Sequence, residues 1–227
     1  MRHLNRRTRR LAFILTALLC LGGRPDMRGE FRPPPAPRIS VPGNALFSDD
    51  FSGDLSQWSA DREGVWKISG GMLRAELPDL KQERSFIKGG NIEWVDYAVD
   101  LDVCMTRGVD KGVAVRVEGE QAIAVDLRGP GYQDVLLQRR EWPMGRAQVA
   151  NANGVWHHLR VEIQGHTYKV FVNGKLEIER EDGRKYRPRG RIALPAYTGG
   201  VGECTVFYDN VVVTPLGGAM FGIKPPE

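Results

Sequence analysis

The 227-residue chain has only three cysteines and four histidines, and several common catalytic signatures are missing from it altogether. There is no Cys-x-x-Cys, His-Glu-x-x-His or Gly-x-Ser-x-Gly, and no phosphate-cradling glycine loop, so chemistry that needs those arrangements is excluded. The adjacent pair His157-His158 does not restore a metal site, because neighbouring residues on a strand point to opposite faces. Positive charge is also scarce where it would matter. The formal net charge is +4 and the pI about 9.0, but Arg2, Arg6, Arg7, Arg9 and Arg10 all lie in the first 23 residues, which hold no acid. Residues 44–216 carry 22 Lys+Arg against 25 Asp+Glu, a net of −3. Such a domain lacks the basic face that a phosphate backbone demands, which excludes nucleic acid as a partner. No long apolar run follows Leu21, so membrane contact is expected only through the N-terminal segment.

That segment has the layout of an export signal or N-terminal anchor over residues 1–23. A basic stretch precedes the apolar run Leu11 to Leu21, and the small residues Gly22 and Gly23 follow. The run is short for a membrane span. Thr8-Arg9-Arg10 loosely matches a twin-arginine signal, which leaves the route open, and Leu19 stands where lipoprotein signals carry a small residue, so lipid anchoring at Cys20 is not expected. The expected location is exported: periplasmic, cell-envelope or extracellular. Residues 24–43 form a Pro-rich linker containing Pro33-Pro34-Pro35-Ala36-Pro37, expected to be an extended spacer or a free tail. A short tail, 217–227, follows the domain. Export also gives the two remaining cysteines a meaning. Cys104 and Cys204 are a candidate disulfide in an oxidising compartment. Parity offers two separate buried thiols as the alternative, since Cys104 is in phase with Asp100 and Asp102, and Cys204 with Val206 and Tyr208.

Between residues 44 and 216 the dominant pattern is period-two alternation broken by turns every 8 to 15 residues. Tyr97, Val99, Leu101 and Val103 alternate with Ala98, Asp100 and Asp102. Val113, Val115 and Val117 alternate with Ala114 and Arg116, and Ile123, Val125 and Leu127 with Ala124, Asp126 and Arg128. Asn173-Gly174 is the strongest hairpin signal, because both residues tolerate positive φ. About a dozen short strands of this kind predict an all-β, two-sheet antiparallel jelly-roll β-sandwich.

On the polar side of that alternation lie Asp100, Asp102, Arg116, Asp126 and Arg128, out of phase with the apolar stripe on three successive segments. If those strands share a sheet, carboxylates and guanidinium groups converge in one groove suited to sugar hydroxyls. A solvent-facing, salt-bridged surface is the competing interpretation. Tyr132, Trp142 and Tyr197 sit at or near glycine- and proline-bounded turns, where an aromatic ring stacks on a sugar or simply anchors its loop.

Four stretches carry a family resemblance: Asp49-Asp50-Phe51 with Trp58; Gly64 to Leu73 (GVWKISGGML); Trp156 to Glu162 (WHHLRVE); and Tyr208 to Val213 (YDNVVV). Together they resemble the concanavalin A-like lectin/glucanase superfamily, and within it the laminin-G-like and 3-keto-disaccharide hydrolase-type domains. The resemblance implies a jelly-roll fold and a role with carbohydrate, without deciding between binding and cleavage. The Glu-x-Asp-x-x-Glu strand motif of the superfamily's glucanases is absent. Asp100-Leu101-Asp102 is followed by Met105 where the third acid belongs, and Glu177, Glu179 and Glu181 read as a solvated edge. Asp50 and Asp209, where the first and last strands approach in this fold, are the candidate ligands of a structural calcium ion, and turn hydrogen bonding is their other use. No other cofactor is expected. The leading expectation is an exported lectin-like module that binds a neutral glycan on its concave face. Alternatives are a glycoside hydrolase of the 3-keto-disaccharide type, or an envelope protein-interaction module without a glycan ligand.

Overall fold

A computed structural model describes residues 31–139, 142–183 and 189–217. The segment expected to be an export signal or anchor, residues 1–23, and most of the expected C-terminal tail lie outside the described residues. Within them the chain forms fifteen strands, no helix, and two antiparallel sheets. Sheet A runs in the order β13 (Lys175–Glu181), β12 (Thr167–Val172), β11 (His157–Gln164), β6 (Tyr97–Arg107), β15 (Thr205–Pro215), β4 (Leu73–Glu76) and β3 (Trp66–Ile68), with β1 (Phe47–Asp49) also paired to β15. Sheet B runs β10 (Trp142–Gln148), β9 (Asp134–Arg139), β8 (Gln121–Arg128), β7 (Asp110–Glu118), β14 (Arg191–Tyr197), β5 (Arg84–Gly89) and β2 (Trp58–Ala60).

The alternation read from the sequence is what joins the layers. Tyr97, Val99, Leu101, Val103, Leu159, Val161 and Ile163 point inward from sheet A, and meet Val113, Val115, Ile123, Val125, Leu127, Val135 and Leu137 from sheet B in one buried cluster. At about 25 cal/mol per Å2 of apolar surface removed from water, this layer is the main driving force for the fold. The Asn173-Gly174 turn joins β12 to β13 with both residues at positive φ (50° and 80°), the geometry that matches strand twist.

Among the register shifts in the two sheets, those in β7 and β15 have consequences for side-chain placement. In β7 the register slips between Val115 and Glu118, and Arg116 takes φ 51°. Arg116 is therefore not the outward groove residue that simple alternation predicts. It is fully buried, donating from Nη1 to Tyr168 Oη (3.0 Å) and from Nη2 to the Val95 carbonyl (3.3 Å), while its backbone N–H donates to Tyr97 Oη (2.8 Å). Gly190 makes room for it, since a Cβ there would lie 2.7 Å from Arg116 Cα. In β15 the register slips between Asp209 and Val212. Tyr208 and Val211, three residues apart, both reach the core, and Asp209 and Asn210 are both left on the outer side.

Of the two alternatives for the cysteines, the structure shows the separate buried thiols. Cys104 and Cys204 are free and buried in different clusters, Cys104 with Met72 and Phe207 outside sheet A, and Cys204 in the main core. Their opposite parity keeps them apart. Burial pushes each thiol up to about 12, so neither presents a thiolate at neutral pH. Alkylation under native, non-reducing conditions at pH 8 is expected to leave both unlabelled, and alkylation after denaturation without reductant to label both. Recovery of a Cys104–Cys204 cross-linked peptide would contradict this arrangement.

Candidate functional site

The polar residues expected to share a groove fall on opposite sides of the sandwich. Asp100 and Asp102 belong to β6 in sheet A, whereas Asp126 and Arg128 belong to β8 in sheet B. The sequence places β6 next to β7, but the chain changes sheet between them.

On the outer face of sheet A the carboxylates are already satisfied. His158 lies between them, with Nδ1 2.9 Å from Asp102 Oδ1 and Nε2 3.2 Å from Asp100 Oδ1. The bonds to Asp100 and then Asp102 raise the His158 pKa to about 9, so it is an imidazolium at neutral pH and both nitrogens donate. Arg160 adds a bond to Asp100, and Asn210 Nδ2 donates to Asp102 Oδ2 at 2.7 Å. Asp50 and Asp209 do approach one another, but an internal cation joins them: Arg38 Nη1 stands 3.1 Å from Asp50 Oδ2 and 3.4 Å from Asp209 Oδ1. Asp50 also binds the Ser52 hydroxyl and amide, and Asp209 accepts from the Ala36 and Asn210 amides. Calcium takes six or more oxygens, and no group of three or more His, Cys, Asp or Glu side chains among the described residues is arranged to hold a metal. The pair does not fit calcium.

The outer face of sheet B is different. Parity turns Asp110, Gly112 and Ala114 of β7 outward, together with Ala124, Asp126 and Arg128 of β8, Asp134 and Gln138 of β9, and Ala193, Pro195 and Tyr197 of β14. Cross-strand pairs fix the layout: Gly112 opposite Asp126, Asp110 opposite Arg128 and Tyr197, and Gln138 opposite Ala124. Asp110 and Asp126 are thus diagonal neighbours, separated by about 7–8 Å in the backbone and closer at their side chains. Gly112, Ala114 and Ala193 are themselves buried, Ala114 and Ala193 in a small apolar cluster with Val117 and Phe86, and Leu136 stands buried opposite Asp126.

The electrostatics follow from that placement. Burial, and then the neighbouring Asp110, push the Asp126 pKa up to about 7, against the lowering effect of a hydrogen bond from Gln138 Nε2 and of Arg128. Burial also raises Asp110, with Arg128 opposing and Asp134 reinforcing. Arg128 is committed elsewhere: Nε and Nη2 form a bidentate pair with Asp134 at 2.9 and 2.8 Å. Burial alone would raise Asp134, but Arg128 and Arg146 hold it low. Asp126 therefore keeps a proton close to neutrality, chiefly because burial penalises its charged form and secondarily because Asp110 lies beside it.

Two of the three predicted aromatics border this face. Tyr132 stacks on Arg128, its ring centroid 4.3 Å from the guanidinium carbon. Tyr197 carries Arg84 over its ring at 5.3 Å and donates to Gln82. Trp142 does not join them. It pairs with Arg139 at the outer edge of sheet B, in phase with the core-facing residues of β9, and is 70% exposed. Asp110, Asp134 and Gln138 were absent from the sequence expectations, although counting back two from Gly112 and one from Val135 would have found both acids.

The comparisons with known proteins bear on this face. The sequence matches the 3-keto-alpha-glucoside-1,2-lyase-like domain over residues 44–214. The chain belongs to that family. It is a carbohydrate-active β-sandwich module, as the earlier resemblance implied. The fold is similar to a carbohydrate-binding module from Bacillus subtilis (TM-score 0.60, 15% identity, 70% of this chain and 96% of that one). It is also similar to a Bacillus licheniformis beta-glucanase (TM-score 0.59, 11% identity, 77% of this chain and 100% of that one). A 65-residue stretch is 37% identical to an extracellular exo-alpha-L-arabinofuranosidase of Streptomyces chartreusis, covering 29% of this chain but only 7% of that protein.

A raised carboxyl pKa carries a stability signature. Asp126 ionises near 3.8 when unfolded but only near 7 when folded, so its contribution to stability declines as pH rises from about 4 through 7. Asp126→Asn cannot ionise and escapes the decline. In urea unfolding the stability of the variant relative to wild type should grow by about 3 kcal/mol between pH 4.5 and pH 8; a difference that stays constant over that range would show that Asp126 titrates normally.

Proposed function

We propose that the domain cleaves 3-keto-glycosides on the outer face of sheet B, with the Asp110–Asp126 pair as its acid and base. The observation that carries this reading is the raised pKa of Asp126 beside a second half-buried carboxyl. A group titrating near 7 is poised to accept and return a proton at neutral pH.

The family description supplies the reaction class. In a 1,2-elimination the hydrogen on sugar carbon 2 is acidified by the adjacent 3-keto group. The ionised Asp110 takes that proton, the electron pair forms the C1–C2 double bond, and the C1–O bond breaks. The departing oxygen takes a proton from Asp126, the carboxyl raised further of the two, so the products are an unsaturated keto sugar and a free alcohol. Gln138 orients Asp126, and Tyr132 and Tyr197 offer apolar ring faces to the sugar on either side. Export places the domain where glycans are met, a reading supported by the N-terminal pattern and by the extracellular relative.

A glycan-binding role without turnover is the second reading. It is favoured by the two aromatic–arginine stacks, Tyr132–Arg128 and Tyr197–Arg84, which stiffen both rings as stacking platforms. Incubation with a 3-keto-α-glucoside separates the two. For the lyase, kcat/KM falls as pH rises through about 7, and Asp126→Asn lowers it by 100-fold or more while substrate still binds. Binding by wild type with no product at any pH would leave only the lectin-like role, and full activity in both Asp126→Asn and Asp110→Asn would remove this face from the reaction.

A further inference from the structure

The proline-rich segment is extended, as its composition requires, but it is neither a spacer nor a free tail from Phe31 onward. It crosses the outer face of sheet A, and its burial repeats every three residues: Pro33 and Ala36 are buried, while Pro34, Pro35 and Pro37 are exposed. Three residues per turn is the period of a polyproline II helix.

The sandwich reads this helix with side chains. Trp156 Nε1 donates to the Pro34 carbonyl at 2.8 Å, and Asn210 Nδ2 donates to the Pro37 carbonyl at 2.9 Å. The Ala36 amide donates to Asp209 Oδ2 at 3.1 Å, and Arg38 reaches both Asp209 and Asp50. Residues 31–38 join no strand ladder. Trp156 also packs on the Met72–Cys104–Phe207 cluster, an apolar patch on the outward side of sheet A that is nonetheless buried. An indole donor beside an apolar patch, with carbonyls gripped from the flank, is the chemistry by which proline-rich ligands are recognised. Residues 39–44, which connect the segment to the first strand, are all exposed.

We propose that the outer face of sheet A is a polyproline-recognition groove, filled by the chain's own residues 32–38 as a removable strap, and able to take the same segment from a second copy once the connection through 39–44 is opened. A short tether gives the strap a millimolar effective concentration, so the intramolecular occupant prevails while the connection is intact.

The test uses the full chain with a protease recognition sequence placed within 39–44. After cutting, gel filtration should separate the N-terminal piece from a sandwich that keeps its near-UV circular dichroism. A fluorescent peptide of residues 31–38 should then bind. Trp156→Phe should weaken uptake about 5-fold, and Ala36→Asp in the peptide should abolish it, whereas Pro35→Asp, on the exposed side, leaves it unchanged. A piece that never leaves, a sandwich that unfolds when it does, or equal effects of the Ala36 and Pro35 changes would each overturn the proposal.

Discussion

A strand in a two-layer sandwich must send every second side chain into the apolar layer, and that constraint governs nearly every contact in this protein. Period two leaves the alternate residues nowhere to go but the two outer faces. Asp100 and Asp102, or Asp126 and Arg128, are therefore outward by necessity, since Leu101 and Val125 must be inward. The constraint is broken at Arg116 and Asn210, both at positive φ in bulges. One break draws a guanidinium into the core, where the Tyr168 hydroxyl and the Val95 carbonyl receive it. The other sets Asp209 and Asn210 side by side to hold the proline-rich strap.

The two outer faces carry similar residue types to opposite ends. On sheet A each carboxylate has its donors: His158, Arg160 and Asn210 surround Asp100 and Asp102, and Arg38 bridges Asp50 to Asp209. Satisfied charge of this kind holds structure in place and leaves little free for a ligand. On sheet B, Asp134 pairs with both Arg128 and Arg146, and burial raises Asp110 and Asp126 with Arg128 opposing it only in part. An incompletely compensated acid pair beside small residues and two aromatic rings is where proton transfer to a bound sugar is cheapest.

Much of the architecture was legible before any coordinates. The core residues of β6, β8 and β11, the Asn173-Gly174 hairpin and the jelly-roll class all follow from alternation and turn chemistry, which are local properties. The site was legible only in part. Asp126, Arg128, Tyr132 and Tyr197 do share a face, but Asp100 and Asp102 lie on the other sheet and Arg116 is interior. The error in Arg116 came from extending alternation through a bulge, where one extra residue reverses the face. Asp110 was missed although its phase with Gly112 exposes it.

The sequence by itself determined which side chains of most strands face the apolar layer, because inward and outward residues alternate along a single segment wherever no bulge intervenes. It also determined that the domain is mildly acidic and that its proline-rich segment is extended. Only the tertiary structure decided which strands lie together, because pairing between β7 and β14 or β6 and β15 joins residues far apart in the chain and depends on how the whole apolar layer closes. That closure divided one apparent groove into a locked network on sheet A and an acid pair on sheet B, and laid the proline-rich segment over the former.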